Sequence, residues 1–134
     1  MLTGISKERL DTCDTHLQRI VNAVAQEMNI QVICGHRSKE DQDKAWEEKK
    51  SKVRYPHSKH NSIPSQAVDL APLKIVDGHR VIDWNDKQGF QDLANLMFKY
   101  ADKFGIHIRW GGDFNMDGTK TTNDSWDMPH WELT

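Results

Sequence analysis

Three side chains far apart in the chain have the types that a catalytic divalent metal needs: His60, Asp69 and His130. Two neutral imidazoles and one carboxylate supply three ligands, and the fourth tetrahedral position of a zinc ion stays open for water. Asp127 falls three residues before His130 and so lies near such an ion without having to ligate it. A free carboxylate there is placed as the general base of a hydrolysis. In a regular strand Asp127 and His130 would point to opposite faces. Met128-Pro129 is therefore expected to turn and bring both side chains into one cleft. Glu132 falls on the His130 face of the last strand and is a candidate to support that ring. His57 is the substitute should His60 fail, and His36 and His107 read as bystanders. No His-Glu-x-x-His helix is present, so the commonest helical zinc motif is excluded.

A second constellation precedes Asp127. Asp113, Asn115, Asp117, Thr121 and Asp124 stand at positions 1, 3, 5, 9 and 12 of an EF-hand-like calcium loop, with Gly118 at position 6. Thr119 would contribute through its backbone carbonyl. Asp124 is shorter than the usual bidentate glutamate, and flanking helices are not evident. The two readings are a calcium site and a plain polar turn. If calcium binds, it would order the loop and align Asp127 and His130.

The elements that must carry these residues can be read from periodicity. Leu10, Leu17, Ile20, Val21, Val24 and Met28 predict one amphipathic helix over 6–28, with Ser6 as its N-cap. Ile30 to Cys34 is a short strand stopped by Gly35. Ser38 can cap a helix running to about Lys50, with Ala45 and Trp46 turned inward. Lys49 to Tyr55 is basic and exposed, and Pro56 to Gln66 is a loop. In the strand Ala67 to Pro72, alternation puts Val68 and Leu70 inward and leaves Asp69 between two alanines on a cleft-facing side. Asp77-Gly78 joins a hairpin. Asn85 or Asp86 caps a helix whose stripe is Phe90, Leu93, Ala94, Met97, Ala101 and Phe104, closed by Gly105. Ile106 to Trp110 and His130 to Leu133 are the remaining strands. The expected fold class is α+β, a small and mainly antiparallel sheet with helices packed on it.

Composition sets the outer bounds. A length of 134 residues suits a single domain over 1–134, with a modest 37% of hydrophobic residues and a mean hydropathy of -0.77. The net charge of -2 recruits neither nucleic acid nor an anionic membrane surface. No stretch is apolar enough to span a bilayer, and no signal peptide is visible at the start. Cys13 on a helix and Cys34 on a strand read as buried free thiols rather than a disulfide.

Taken in order, Gly35-His36-Arg37-Ser38 through Gln42, Ser58-Lys59-His60, Ala67-Val68-Asp69-Leu70-Ala71-Pro72, Arg109-Trp110-Gly111-Gly112-Asp113 and Asp127-Met128-Pro129-His130-Trp131-Glu132-Leu133 resemble the VanY-related zinc D,D- and L,D-peptidases. The set is most similar to the phage endolysins that act as L-alanyl-D-glutamate peptidases. The resemblance covers most of the chain after the first helix. It implies a Hedgehog/D,D-peptidase-like fold, zinc on His60, Asp69 and His130, Asp127 as the base, and Arg37 as a stabiliser of substrate or transition-state charge. The His60 to Asp69 interval is longer than in some relatives, and the extra residues around Ser62 to Ser65 should bulge within the loop. The implied substrate is the peptidoglycan stem peptide. The implied protein is a monomer held in the host cytoplasm until it reaches the wall. The alternatives are a D,D-carboxypeptidase or dipeptidase on the same site, a non-catalytic zinc-bearing recognition module, and a calcium module with incidental histidines.

Overall fold

The apolar positions of the first third of the chain do form helix, but in two pieces. The computed structural model describes residues 2, 4–49, 53–111 and 128–134. Helix α1 spans Gly4–Asp11 and α2 spans Thr15–Ala25, where periodicity predicts one helix. The break has local causes. The Thr12 hydroxyl donates to the Arg9 carbonyl, and the Cys13 amide donates to the Leu10 carbonyl. Asp14 then starts a new helix by accepting from the His16 amide at 2.8 Å. The corner is tied to a distant loop, because the amides of Asp14 and Ser65 donate to the carbonyls of Ser65 and Thr12. Ser6 is not an N-cap. It is buried within α1, and its hydroxyl accepts from the Val32 amide at 3.1 Å, joining α1 to strand β1 (Ile30–Cys34).

Helix α3 (Lys39–Glu47) begins where Ser38 accepts from the Asp41 amide at 3.2 Å, with Glu40 and Asp41 complementing the helix dipole. Its inward residue is Gln42, fully buried, while Trp46 is 37% exposed and lies under the Arg54 guanidinium. The expectation for Trp46 fails because this helix faces a polar loop instead of the apolar core. A side-chain amide satisfies that surface and an indole does not.

A single 3₁₀ turn, Lys59–Asn61, precedes strand β2 (Ala67–Pro72). Strands β3 (Lys74–Val76) and β4 (His79–Val81) form the hairpin expected around Asp77-Gly78, where both residues have positive φ. Helix α4 (Lys87–Phe104) is capped by Asp86, whose carboxylate accepts from the Gly89 amide, and ends at left-handed Gly105. Strands β5 (Ile108–Trp110) and β6 (His130–Leu133) complete a four-stranded antiparallel sheet of order β1-β2-β6-β5. The architecture is α+β.

One face of the sheet makes the core. Val32, Val68, Leu70, Trp110 and Trp131 pack with Leu17, Ile20, Val21 and Val24 of α2 and Leu93, Ala94 and Met97 of α4. Trp110 and Trp131 stack at 5.6 Å, and the Trp110 indole donates to the Met128 carbonyl at 2.7 Å. Each fully buried aliphatic or aromatic side chain contributes about 1.5–3 kcal/mol. The core on this face thus fixes the sheet and leaves the opposite face able to carry polar groups.

Candidate metal centre

Strand register assembles the polar face. Asp69 pairs with His130 across β2 and β6, so both side chains leave the sheet on the same side. Their neighbours Val68 and Trp131, also paired, point into the core. His130 Nδ1 lies 3.2 Å from Asp69 Oδ1. The other ring nitrogen, Nε2, donates to Glu132 Oε1 at 2.8 Å, two residues along the same strand and on the same face. Glu132 in turn meets Lys59 Nζ at 3.3 Å.

The other histidine arrives from the loop. Ser58 caps the 3₁₀ turn by accepting from the His60 amide, and the Asn61 side chain returns to the Ser58 amide. The His60 carbonyl accepts from the Arg37 amide at 2.7 Å, which clamps the turn onto the end of β1. His60 itself is only 2% exposed. Its Nδ1 lies 2.7 Å from the Gly35 carbonyl. A carbonyl only accepts, so Nδ1 carries a proton and Nε2 is the nitrogen turned towards the site. Nε2 lies 3.3 Å from Asp69 Oδ1, without hydrogen-bond geometry, and is a buried nitrogen with no hydrogen-bond partner among the described residues.

An orphaned imidazole nitrogen, a buried carboxylate and a second imidazole at the same oxygen form a donor set that fits a divalent metal. His60, Asp69 and His130, expected from their residue types and from the family resemblance, are brought together. Met128 and Pro129 do form a turn. Asp127 and the calcium-loop candidates Asp113, Asn115, Asp117, Thr119, Thr121 and Asp124 lie outside the described residues.

The family model described as phage L-alanyl-D-glutamate peptidase matches residues 1–134. The chain belongs to the phage L-alanyl-D-glutamate peptidase family. Among curated proteins none matches. The crystal structure of the Serratia marcescens L-Ala D-Glu endopeptidase ChiX shares the fold, with a TM-score of 0.75 at 24% identity, over 99% of this chain and 89% of that one. Membership places the chain among peptidases that act on peptidoglycan.

The charges of this peptidase's site are strongly coupled. Burial opposes a charge on His60, but the contact with Asp69 outweighs it, with Cys34 adding to the effect, and lifts the imidazolium pKa to about 10. For His130, too, burial is outweighed by Asp69 and Glu132, which raise it to about 9. Burial likewise works against the Asp69 charge, yet its contacts with His130 and His60 hold the carboxyl well below the usual range. The hydrogen bond from His130 lowers Glu132 to about 2. In the protein alone, protons on the two rings occupy the positions that a cation would take, so loading a metal must displace them.

Arg37 stands at the rim. Its Nη2 lies 3.6 Å from Asp69 Oδ2, and its Nη1 donates to Gln42 Oε1 at 3.0 Å. The Gln42 amide donates to the Val53 carbonyl at 2.7 Å, and the Asn61 amide donates to the Arg37 carbonyl at 3.0 Å. Arg37 is thus aimed by a buried glutamine that closes the first stretch of the resemblance and to which sequence reasoning gave no role. Cys34 is the other residue it missed: its sulfur and ligand atoms of His60 and Asp69 all lie within 4.8 Å of one another. A polar residue on the predicted inner face of α3 was the signal for Gln42. Nothing in spacing marked Cys34.

Proposed function

We propose that this family member is a zinc-dependent endopeptidase that cleaves the L-alanyl-D-glutamate bond of the stem peptide and so lyses the host. The observation that carries the reading is the convergence of His60 Nε2 and His130 Nδ1 on Asp69 Oδ1, at 3.3 and 3.2 Å. His60, Asp69 and His130 hold the ion. The Gly35 carbonyl and the Glu132 carboxylate receive the outer N–H groups of the two rings and fix their orientation. When bound, zinc supplies Lewis acidity that brings the pKa of water to about 7.

The remaining work falls to side chains. Asp127 takes the proton of the attacking water and returns it to the leaving amine. Arg37 faces the developing oxyanion from the rim, a kind of contact worth about 2.7–4 kcal/mol. Release of the protein to the wall from the host cytoplasm, a monomeric state, and calcium binding by the 113–124 loop belong to the same reading.

Elemental analysis of the purified protein combined with digestion of defined muropeptides tests it. One zinc per chain and new N-terminal D-glutamate are expected, whereas released D-alanine would identify a carboxypeptidase. Asp127→Asn should keep its zinc and lose about 10²–10⁴-fold in rate. Unchanged lysis would remove Asp127 from the mechanism. Calcium titrated into chelator-treated, zinc-loaded protein should raise activity, and a flat response would dismiss that part.

A further inference from the structure

We propose that Cys34 is a fourth protein ligand of the metal held by His60, Asp69 and His130. The inference rests on the metal reading above and concerns a residue that this reading does not use.

A β-bulge carries the argument. Along β1 and β2, Ile30 pairs with Pro72, Gln31 with Ala71 and Val32 with Leu70, after which the register shifts and Cys34 pairs with Asp69. Had the ladder continued without the shift, Ile33 would oppose Asp69, and Cys34 would join Val32 on the core side. The extra residue turns Cys34 onto the polar face, a use of bulges known near functional sites. Cys34, Asp69 and His130 then form one row across β1, β2 and β6. His60, whose Nε2 is orphaned, has a ligand atom within 4.8 Å of both the Cys34 sulfur and Asp69.

The bland reading, an inert thiol packed as a small hydrophobe, describes Cys13 instead. Cys13 is 2% exposed, belongs to the apolar core, and has its thiol pushed up to about 12, chiefly by burial. Cys34 is partly exposed and outside that core. Its thiol donates to the carbonyl of its own neighbour, Gly35, at 3.5 Å, and its side chain also meets the His60 ring.

The Cys34 sulfur and ligand atoms of His60 and Asp69 lie within 4.8 Å of one another, so a zinc ion held there and by His130 takes the sulfur in its fourth position until water displaces it. On binding, the thiol proton passes to solvent and the S–metal bond replaces the S–H bond. Sulfur and water then compete for a single position, and the site favours thiophilic ions over magnesium, calcium or manganese.

Cobalt(II) in place of zinc reads this directly. The native protein loaded with one equivalent of Co2+ should show visible ligand-field bands and an intense near-ultraviolet thiolate-to-cobalt band. Cys34→Ser should keep the visible bands and lose the near-ultraviolet one, with Cys34→Ala as the second variant should serine disturb folding. In parallel, one equivalent of Zn2+ should protect one thiol of the native protein from a thiol reagent. A native protein that binds one cobalt with no near-ultraviolet band overturns Cys34 ligation and leaves the zinc reading intact. A band that persists in both variants does the same. A protein that takes up no cobalt or zinc overturns the metal reading itself, and this inference with it.

Discussion

Asp69 and His130 face each other directly across two adjacent strands, 61 residues apart in sequence, with His130 Nδ1 3.2 Å from Asp69 Oδ1. The same aspartate oxygen lies 3.3 Å from His60 Nε2. A carboxylate shared by two imidazoles is the centre of the site, and its removal should be felt there first.

Asp69→Asn should therefore abolish stoichiometric zinc binding, as measured by elemental analysis after gel filtration. Glu132 meets the outer nitrogen of His130 and Lys59 Nζ, so Glu132→Gln acts on the ligand from outside and should cost about 10–100-fold in zinc affinity. Equal losses in the two variants would mean that Glu132 is a ligand rather than a support.

The pH dependence of stability should change shape on metal loading. In chelator-treated protein, His60 and His130 have folded pKa values above their ordinary 6.5, so their contribution is full below about 6.5 and fades as pH rises through 9 and 10. Glu132 has a folded value below its ordinary 4.5, so its contribution is present above about 4.5 and is lost as pH falls towards 2. The urea midpoint should peak between those limits. Zinc requires neutral rings, so its added stabilisation should grow with pH above 6.5 instead. Parallel profiles with and without zinc would contradict the shared site.

Gly35→Ala should destabilise the protein. An added Cβ would lie 2.3 Å from the Arg9 carbonyl oxygen and 2.3 Å from Thr12 Oγ1, and the first of these is backbone. Overpacking of this kind costs about 1–3 kcal/mol, readable as a lowered urea midpoint. Zinc affinity should fall as well, because the Gly35 carbonyl orients His60.

Gln42→Leu separates positioning from metal binding. The variant should lose about 1–3 kcal/mol of stability, because Arg37 and Val53 each lose a hydrogen bond to the buried amide. Zinc content should stay at the native level while turnover per bound zinc drops. A fall in zinc content would show that the glutamine supports the ligands instead of Arg37.

What could be read from sequence divides along physical lines. The alternation around Asp69 and the stripe of α4 are local periodicities, and both appear in the fold as read. His60, Asp69 and His130 were legible as types suited to one ion, and the β2–β6 register with the clamped 3₁₀ turn brings them together. Cys34 was not legible, because a one-residue bulge reverses the face of a side chain without leaving a mark in the pattern. The corner at Thr12 to Asp14 was hidden for a related reason. The apolar spacing runs through it unbroken, while the bonds that bend it go to Ser65, far along the chain. Gln42 was overlooked because a buried amide is favoured only where a polar partner awaits it, and its partners come from Arg37 and Val53.

The strand that carries His130 is inserted between β2 and β5 rather than added at an edge. Of the four strands, β6 comes latest in chain order, so a growing polypeptide exposes an unfilled slot until it emerges. A ribosome-bound chain halted before residue 130 would lack both the slot's occupant and half of the imidazole pair. The metal-holding pair would thus stay incomplete until this interior ribbon has emerged and docked.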